Sequence, residues 1–239
     1  MTIPSFAIRR AAGPLSRRAF GLAALGLALA SAAARAQIRP TPFDVRAYRG
    51  LHLAAHEGNA GEIRRLIAAR QNPNARDGQG RTPLHVATYA AQHDAMRALV
   101  EGKADPRALE NQQYDCITIA AVADDVPTMA LAIQLGGDPK AITSPYNGTA
   151  LIAAAHLGHE GIVAALIAAG APLDHVNNLG WTALIEAVIL GDGGRRHQET
   201  ARLLVKAGAR RDLADRQGLT PLDHARQRRY EAMVEILSA

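Results

Sequence analysis

Residues 81–87 read RTPLHVA, and degraded versions of this stretch recur along most of the chain. Its leucine has an apolar counterpart in five other places, and the intervals between successive counterparts are 33, 33, 34, 33 and 38 residues. The six positions are Leu51, Leu84, Ile117, Leu151, Leu184 and Leu222. A fixed period of this length is typical of a repeat architecture. The sequence therefore predicts a stack of similar units with one insertion.

Threonine and alanine recur in register with that apolar position. Threonine stands two residues before it in four copies, and alanine stands three residues after it in all six. The pattern T-P-L-H-x-A on a 33-residue period resembles the ankyrin repeat family. The residues assigned to the structural motif are Thr82, Pro83, Leu84, His85, His52, Thr149, Thr182, Thr220 and Pro221.

The resemblance implies an all-α repeat solenoid of about six stacked helix-turn-helix ankyrin repeats, joined by hairpin-like fingers. It also implies that His52 and His85 make structural hydrogen bonds between neighbouring repeats. A lead-in at 37–48 is expected to cap the ankyrin repeat domain, which covers 49–239. Its repeats are expected at about 49–81, 82–114, 115–148, 149–181, 182–219 and 220–239.

Three local features of the repeats carry expectations of their own. Glycine shares one finger position at Gly80, Gly148, Gly180 and Gly218, where the turn is expected to need a positive φ. The second finger has Gln113 there, so a differently shaped turn is expected. In the third repeat, Pro127 is expected to open the second helix. The insertion at 191–199 is rich in glycine and charge, which predicts an exposed, mobile loop.

Residues 1–36 predict a cleavable export signal that lies outside the fold. Arginines precede an uncharged run of Ala, Leu and Gly, and the run ends in Ala34-Arg35-Ala36, so cleavage is predicted after Ala36. Residues 16–20 read SRRAF, which resembles a twin-arginine leader; an ordinary secretory leader is the alternative. Both readings predict a periplasmic protein. The run is shorter than the roughly 20 residues of a membrane-spanning helix, so no stable anchor is expected.

The charge balance does not favour a nucleic-acid partner. The chain has 27 Lys and Arg against 22 Asp and Glu, but five of the arginines precede residue 37, where no acidic residue occurs. The remainder is formally neutral, whereas a nucleic-acid surface needs clustered positive charge. The one cysteine, Cys116, cannot form an internal disulfide and is expected to be a packed, inert thiol.

The sequence shows no sign of catalytic chemistry. It contains no nucleophile elbow, phosphate-binding loop, zinc-protease helix or dinucleotide-binding motif, so we expect neither enzyme activity nor a cofactor. His52 with His56, and His156 with His159, have spacings that could place two imidazoles on one helix face. Neither pair has a third ligand at an obvious spacing, so no metal site is predicted. A small-ligand or metal carrier remains an alternative.

An elongated stack of repeats suits the binding of another protein, and the family resemblance implies the same. One candidate surface is the column that ends each finger, which is rich in the residue types of interface hot spots: Tyr48, Arg81, Tyr114, Trp181 and Leu219. The alternative is that these rings merely cover the finger and pack on the next one. A second candidate is the concave face of the first helices, with Tyr89 and His156.

The sequence thus predicts a non-enzymatic protein-interaction module or scaffold in the bacterial periplasm, which uses finger tips and a concave helix face. The alternative function is an accessory protein that stabilises or protects an exported enzyme. Because repeat surfaces vary over a common core, the sequence does not name the partner.

Overall fold

The computed structural model of the chain describes residues 39–239, which form thirteen α-helices and one isolated β-bridge. The predicted leader at 1–36 lies outside the described residues. The first helix, α1 (Pro42–Ala47), belongs to the lead-in. The other twelve form six consecutive pairs: α2 (Gly50–His56) and α3 (Ala60–Ala68), α4 (Pro83–Tyr89) and α5 (His93–Glu101), α6 (Cys116–Val122) and α7 (Val126–Gln134), α8 (Ala150–Leu157) and α9 (Glu160–Ala168), α10 (Ala183–Ile189) and α11 (Arg195–Lys206), α12 (Pro221–Arg228) and α13 (Glu231–Ser238).

The helix pairs stack in chain order. The two helices of each pair pack against each other, and the first helices of successive repeats pack side by side from α2 to α12. The second helices form a parallel layer, with α3 on α5, α7 on α9, α9 on α11 and α11 on α13. The predicted helical repeat solenoid is confirmed.

A side-chain cap begins the first helix in five of the six repeats, and only α2 begins without one. All four motif threonines accept a hydrogen bond from the backbone N–H three residues later: Thr82, Thr149, Thr182 and Thr220. In the third repeat Asp115 takes this role and accepts from the N–H of Thr118 at 2.7 Å. Such caps satisfy amide groups that a helix cannot pair internally. Pro127 lies in the first turn of α7, as predicted.

Alanine recurs at a fixed place in every repeat because of how the first helices pack. The alanine three residues after each motif leucine is at most 2% exposed in every repeat: Ala54, Ala87, Ala120, Ala154, Ala187 and Ala225. A small side chain here lets neighbouring first helices approach closely. Cys116 packs in the same core, and its burial raises the pKa of the thiol to about 12. The expectation of a packed, inert thiol is confirmed in its burial.

The second finger turns in the same way as its neighbours. Gly80, Gly180 and Gly218 have φ of 74°, 87° and 77°, as predicted, and Gln113 has φ of 63°. The amide of Gln113 donates to the carbonyl of Glu110 at 2.8 Å, just as Gly80 donates to Asp77 at 3.0 Å. The expectation of a different turn shape at Gln113 is therefore wrong.

The third finger is the one that differs. Its left-handed residue is Asn147, with φ of 52°, and Gly148 is not among the residues of positive φ. The closing hydrogen bond runs from the amide of Thr143 to the carbonyl of Gly148 at 2.8 Å, one residue further along than the matching bond from Asp77 to Arg81. Asn147 stands two residues before Thr149, as Gly80 stands two before Thr82, so the left-handed position is the same and asparagine tolerates it. The prediction of positive φ at Gly148 is wrong.

The insertion in the fifth repeat is largely helical. Helix α11 begins at Arg195, so residues 195–199 form an added helical turn and only 191–194 connect the two helices. Arg196 binds Asp124 of the third repeat at 2.6 Å and Glu160 of the fourth at 2.9 Å. His197 Nε2 lies 3.0 Å from the carbonyl oxygen of His156. The prediction of a loop through residue 199 is wrong because these contacts hold the segment against two earlier repeats.

Within residues 39–239, no helix has both the length and the apolar character needed to cross a membrane.

Candidate protein-binding surface

The motif histidines fix the fingers in place. His85 is fully buried, and its Nε2 lies 3.0 Å from the carbonyl oxygen of Ala108 and 3.2 Å from that of Tyr114, both in the next finger. Its Nδ1 accepts from the amide of Thr82 at 3.1 Å. Burial lowers the pKa of His85 to about 4, so the ring is neutral near pH 7 and Nε2 carries the proton. His52 repeats the contact with Arg81 O at 3.0 Å. Both histidines contact the finger at the end of their own repeat, so the expectation that they bridge neighbouring repeats is wrong at these two residues.

A second set of side chains shapes each finger, and the sequence analysis missed it. Asp77, Asn177 and Asp215 each accept backbone N–H bonds from the residues two and four positions later, at 2.8–3.0 Å. A side chain that accepts two local amides mimics a backbone turn. The signal was present, because an acid or its amide recurs four residues before the end of these fingers.

The predicted binding column is not an exposed edge. Four of its side chains are at most 9% exposed: Tyr48, Arg81, Tyr114 and Trp181. Leu219 is half-buried. The expectation that these four offer their side chains to a partner is corrected, because they are buried within the stack. The alternative of structural packing accounts for these four residues.

The contacts of Arg81 show why a polar side chain of this column is buried. Its Nε donates to Asp77 Oδ2 at 2.7 Å, and its Nη2 lies 3.2 Å from Asp44 Oδ2 of the lead-in helix α1. Tyr48 donates its hydroxyl proton to the same Asp77 oxygen at 3.0 Å. Burial alone would raise the pKa of Asp77, but the hydrogen bonds from Arg81 and the finger amides hold it below its ordinary value. A buried charge cluster of this kind is costly to open.

The two predicted residues on the first helices are half-buried and lie apart from each other. Tyr89 lines a cleft of about 190 Å³ between the end of α4 and the start of α7, together with Arg39, Ala123 and Asp125. His156 Nδ1 lies 3.4 Å from Glu186 Oε2, and Glu186 accepts a hydrogen bond from Asn177 at 2.7 Å. Both residues remain predicted contacts for a partner.

The histidine pairs do not converge on a metal site in the described part of the chain. Residues 39–239 hold no group of three His, Cys, Asp or Glu side chains placed to bind an ion. Two of the four histidines in those pairs bond to backbone carbonyls: His52 to Arg81, and His159 to Ala121 at 2.8 Å. His52 therefore links its helix to the finger of its own repeat, and His159 links the fourth repeat to the third.

The exposed apolar side chains of the fingers form a row that the sequence analysis did not identify. Leu109, Ile142 and Val176 occupy equivalent finger positions in repeats two to four, and they are 36%, 53% and 48% exposed. We call these three residues the finger row. Successive members are 33 and 34 residues apart. The signal was present as an apolar residue near the start of each finger, but alternation on a short hairpin does not say which neighbour faces solvent.

Positive charge lies beside one end of the finger row. Arg107 and Lys140 stand two residues before Leu109 and Ile142, and Arg76 takes the row position in the first finger. All three are exposed, and none forms an ion pair within residues 39–239. We call these three residues the finger cations. Together with the finger row they give an apolar surface with a basic flank.

Comparison with known proteins identifies the family. A family model described as ankyrin repeats (3 copies) matches three overlapping stretches, residues 32–110, 51–135 and 117–209. The chain is an ankyrin-repeat protein. Ankyrin repeats are generally protein–protein interaction modules, and the fold is typically a non-enzymatic scaffold. No curated protein matches this ankyrin-repeat protein significantly.

Solved structures agree with this assignment. An ankyrin repeat domain from Acinetobacter baumannii AYE is 42% identical, covers 79% of this chain and 95% of its own, and gives a TM-score of 0.74. The ankyrin repeat protein EF0377 is 28% identical, with coverage of 80% and 98% and a TM-score of 0.73. A chain in the complex of the Bdellovibrio bacteriovorus predatory endopeptidase Bd0816 with immunity protein Bd3460 is 24% identical, with coverage of 80% and 97% and a TM-score of 0.64, and shows the fold alone.

Proposed function

We propose that this ankyrin-repeat protein is a non-enzymatic module that binds another protein through the finger row. The observation that carries the proposal is the alignment of three exposed apolar side chains on consecutive fingers. Scattered surface hydrophobic residues need no explanation, but a contiguous apolar patch rimmed by polar groups is typical of an interaction site. The general role of ankyrin repeats supports the same conclusion.

The test is capture of a partner in the cell that makes the protein. The tagged chain is crosslinked in cells and isolated beside the variant Ile142→Asp/Val176→Asp and the control Val126→Asp. Val126 is 38% exposed but lies at the start of α7, away from the fingers. We expect one recurrent partner that is retained by the wild type and the control but lost by the row variant, because two charges are placed in an apolar contact.

Circular dichroism and thermal unfolding decide whether the row variant is folded. Both substituted side chains are about half exposed, so the helices and their melting temperature should change little. A folded row variant that still captures the same partner contradicts the proposed function.

We further propose that the protein acts in the periplasm. The support is the leader pattern at 1–36, with the paired Arg17 and Arg18 before an uncharged run and Ala36 at the cleavage position. Fractionation followed by N-terminal sequencing tests this: we expect periplasmic protein that begins at Gln37. Arg17→Lys/Arg18→Lys should block export if the leader is of the twin-arginine type. Uncleaved protein in the cytoplasm of the wild type contradicts the proposed location.

A further inference from the structure

We infer that the finger row receives one amphipathic helix of the partner, with Asp and Glu side chains along the flank that faces the finger cations. This inference rests on the proposed function and names the chemistry that would fit its site. Three observations carry it: the spacing of the row, the hydrogen bonds between fingers, and the cations that lack an ion pair.

The spacing of the row matches the repeat of an α-helix. Successive repeats pack their helices at about 8–10 Å, so members of the finger row lie about that distance apart. A helix rises 1.5 Å per residue, so side chains seven residues apart are separated by about 10.5 Å and return to nearly the same face. Apolar residues at positions i, i+7 and i+14 would therefore contact Leu109, Ile142 and Val176 in turn.

An extended strand along the row fits less well. Three residues of a strand also span about 10 Å, but side chains three apart point to opposite faces. One face of a strand could therefore contact only every second member of the finger row. A helix meets all three members with one face, which is the general mode of a helix bound in an apolar groove.

The fingers are held together, so the row is fixed before a partner arrives. The amide of Asn111 donates to Gln79 O of the preceding finger at 3.1 Å, and the amide of Asn178 donates to Tyr146 O at 2.9 Å. Arg76 donates to Leu109 O at 2.6 Å, which links the first finger to the first member of the row. A surface that is already ordered avoids part of the entropic cost of binding.

The positive charge of the finger cations favours an acidic flank on the bound helix. Arg76, Arg107 and Lys140 lie at the end of the stack formed by repeats one to three, and none of them has an ion-pair partner in residues 39–239. At the other end, the positions equivalent to Arg107 are Asp174 and Asp212; Asp212 pairs with Arg210 at 2.8 Å, and Asp174 accepts the amide of Arg210. The carboxylates of the bound helix should therefore lie over repeats one to three, because the finger cations there have no ion-pair partner of their own.

The same charges disfavour a second copy of the chain as the occupant. A twofold pairing of row on row about Ile142 would bring two Lys140 ammonium groups together. Like charges placed opposite each other at an interface are unfavourable. We therefore assign the surface to a different protein.

The experiment uses the purified full chain and a displayed library of helical peptides with randomised surface positions. Peptides enriched on the wild type are expected to carry apolar residues seven apart and Asp or Glu along one flank. Their affinity, measured by fluorescence anisotropy, should fall at least about tenfold with Ile142→Asp, as for a central interface residue. It should fall several-fold with Arg107→Glu/Lys140→Glu and weaken as salt is raised. Val126→Asp should leave it unchanged.

Several results would overturn the inference. These are no enrichment, enriched peptides without the seven-residue spacing or the acidic flank, salt-independent binding, or equal binding to Ile142→Asp. Sedimentation that shows self-association lost in the same variant would assign the row to a second copy instead. Failure here is distinct from failure of the proposed function: if Ile142→Asp/Val176→Asp abolishes partner capture in cells while the helical library gives nothing, the surface stands and only its helical occupant is wrong.

Discussion

The second and third repeats solve the same structural problem with different side chains. In the second repeat, His85 reaches from the start of α4 to two carbonyl oxygens of the next finger, at 3.0 and 3.2 Å. In the third repeat Thr118 occupies that position, and its hydroxyl lies 2.5 Å from the hydroxyl of Thr143 in the next finger. Both residues join a first helix to the finger that follows it.

The difference teaches that the finger and the motif residue must change together. A threonine is too short to reach the carbonyls that a histidine reaches. The third finger is one residue longer, so Thr143 takes the closing backbone bond while Ser144 accepts the local amides of Tyr146 and Gly148. The extra residue thereby frees a buried hydroxyl to meet Thr118. Each bridge works only with its own finger.

Removal of the histidine bridge should have the largest effect. We expect His85→Ala to lower the free energy of unfolding by about 4 kcal/mol, because it leaves two buried carbonyls unpaired and opens a cavity. Urea unfolding followed by circular dichroism measures this. His85→Thr should lose nearly as much, since the second finger has Glu110 where the third has Thr143. A His85→Thr variant as stable as the wild type would show that the two bridges are interchangeable.

The histidine bridge should also make stability depend on pH. The unfolded chain binds a proton at His85 near pH 6.5, but the folded protein does so only near pH 4. Between these values the unfolded state holds more protons, so the free energy of unfolding falls as pH falls, by about 3 kcal/mol across the window. Denaturant unfolding at several pH values measures this fall.

The matched control for the pH effect is His85→Gln. Burial raises the pKa of Asp115, which acts in the opposite direction at acidic pH, so the difference between wild type and His85→Gln is the quantity that counts. The variant should lose most of the dependence between pH 6.5 and 4. An unchanged pH profile in His85→Gln would contradict a neutral, buried His85.

The threonine bridge should be worth less. We expect Thr118→Val to cost about 1.5 kcal/mol, since it leaves the buried Thr143 hydroxyl without this partner. Adding Thr143→Val should then cost little more, because both polar groups are gone. Chemical unfolding of the two single variants and the double variant gives the coupling energy. Additive losses would mean that the two hydroxyls do not stabilise each other.

The smallest effect is expected in the turn of the second finger. Gln113 holds a positive φ of 63°, which costs a residue with a side chain about 1–2 kcal/mol. Glycine removes that strain but adds freedom to the unfolded chain, so Gln113→Gly should stabilise by about 0.5 kcal/mol. Gly80→Ala is the opposite control: a Cβ there would lie 3.1 Å from the amide nitrogen of Asn111 and should destabilise. A less stable Gln113→Gly would contradict strain at this turn.

Much of the fold could be predicted because a repeat states its pattern several times. The structure confirms the repeat and the stack of paired helices. The errors in local conformation fell where one copy departs from the rest, as at Gln113, Gly148 and residues 195–199. A feature that occurs in only one repeat has no counterpart in the other repeats from which to predict it. Side-chain contacts with distant residues then decide the local conformation. The pairing of Arg196 with Asp124, 72 residues earlier, is of this kind.

The binding surface shows what the sequence determined and what only the tertiary structure decided. The sequence by itself determined the stack, its order and the positions at which each finger varies, because hydrophobic periodicity and capping act locally. It did not determine which of two nearby finger columns faces solvent. The structure buries Tyr48, Arg81, Tyr114 and Trp181 and exposes Leu109, Ile142 and Val176. The physical reason is that solvent exposure on a hairpin depends on the neighbouring finger and on the lead-in that packs across it, and those contacts exist only once the stack has formed.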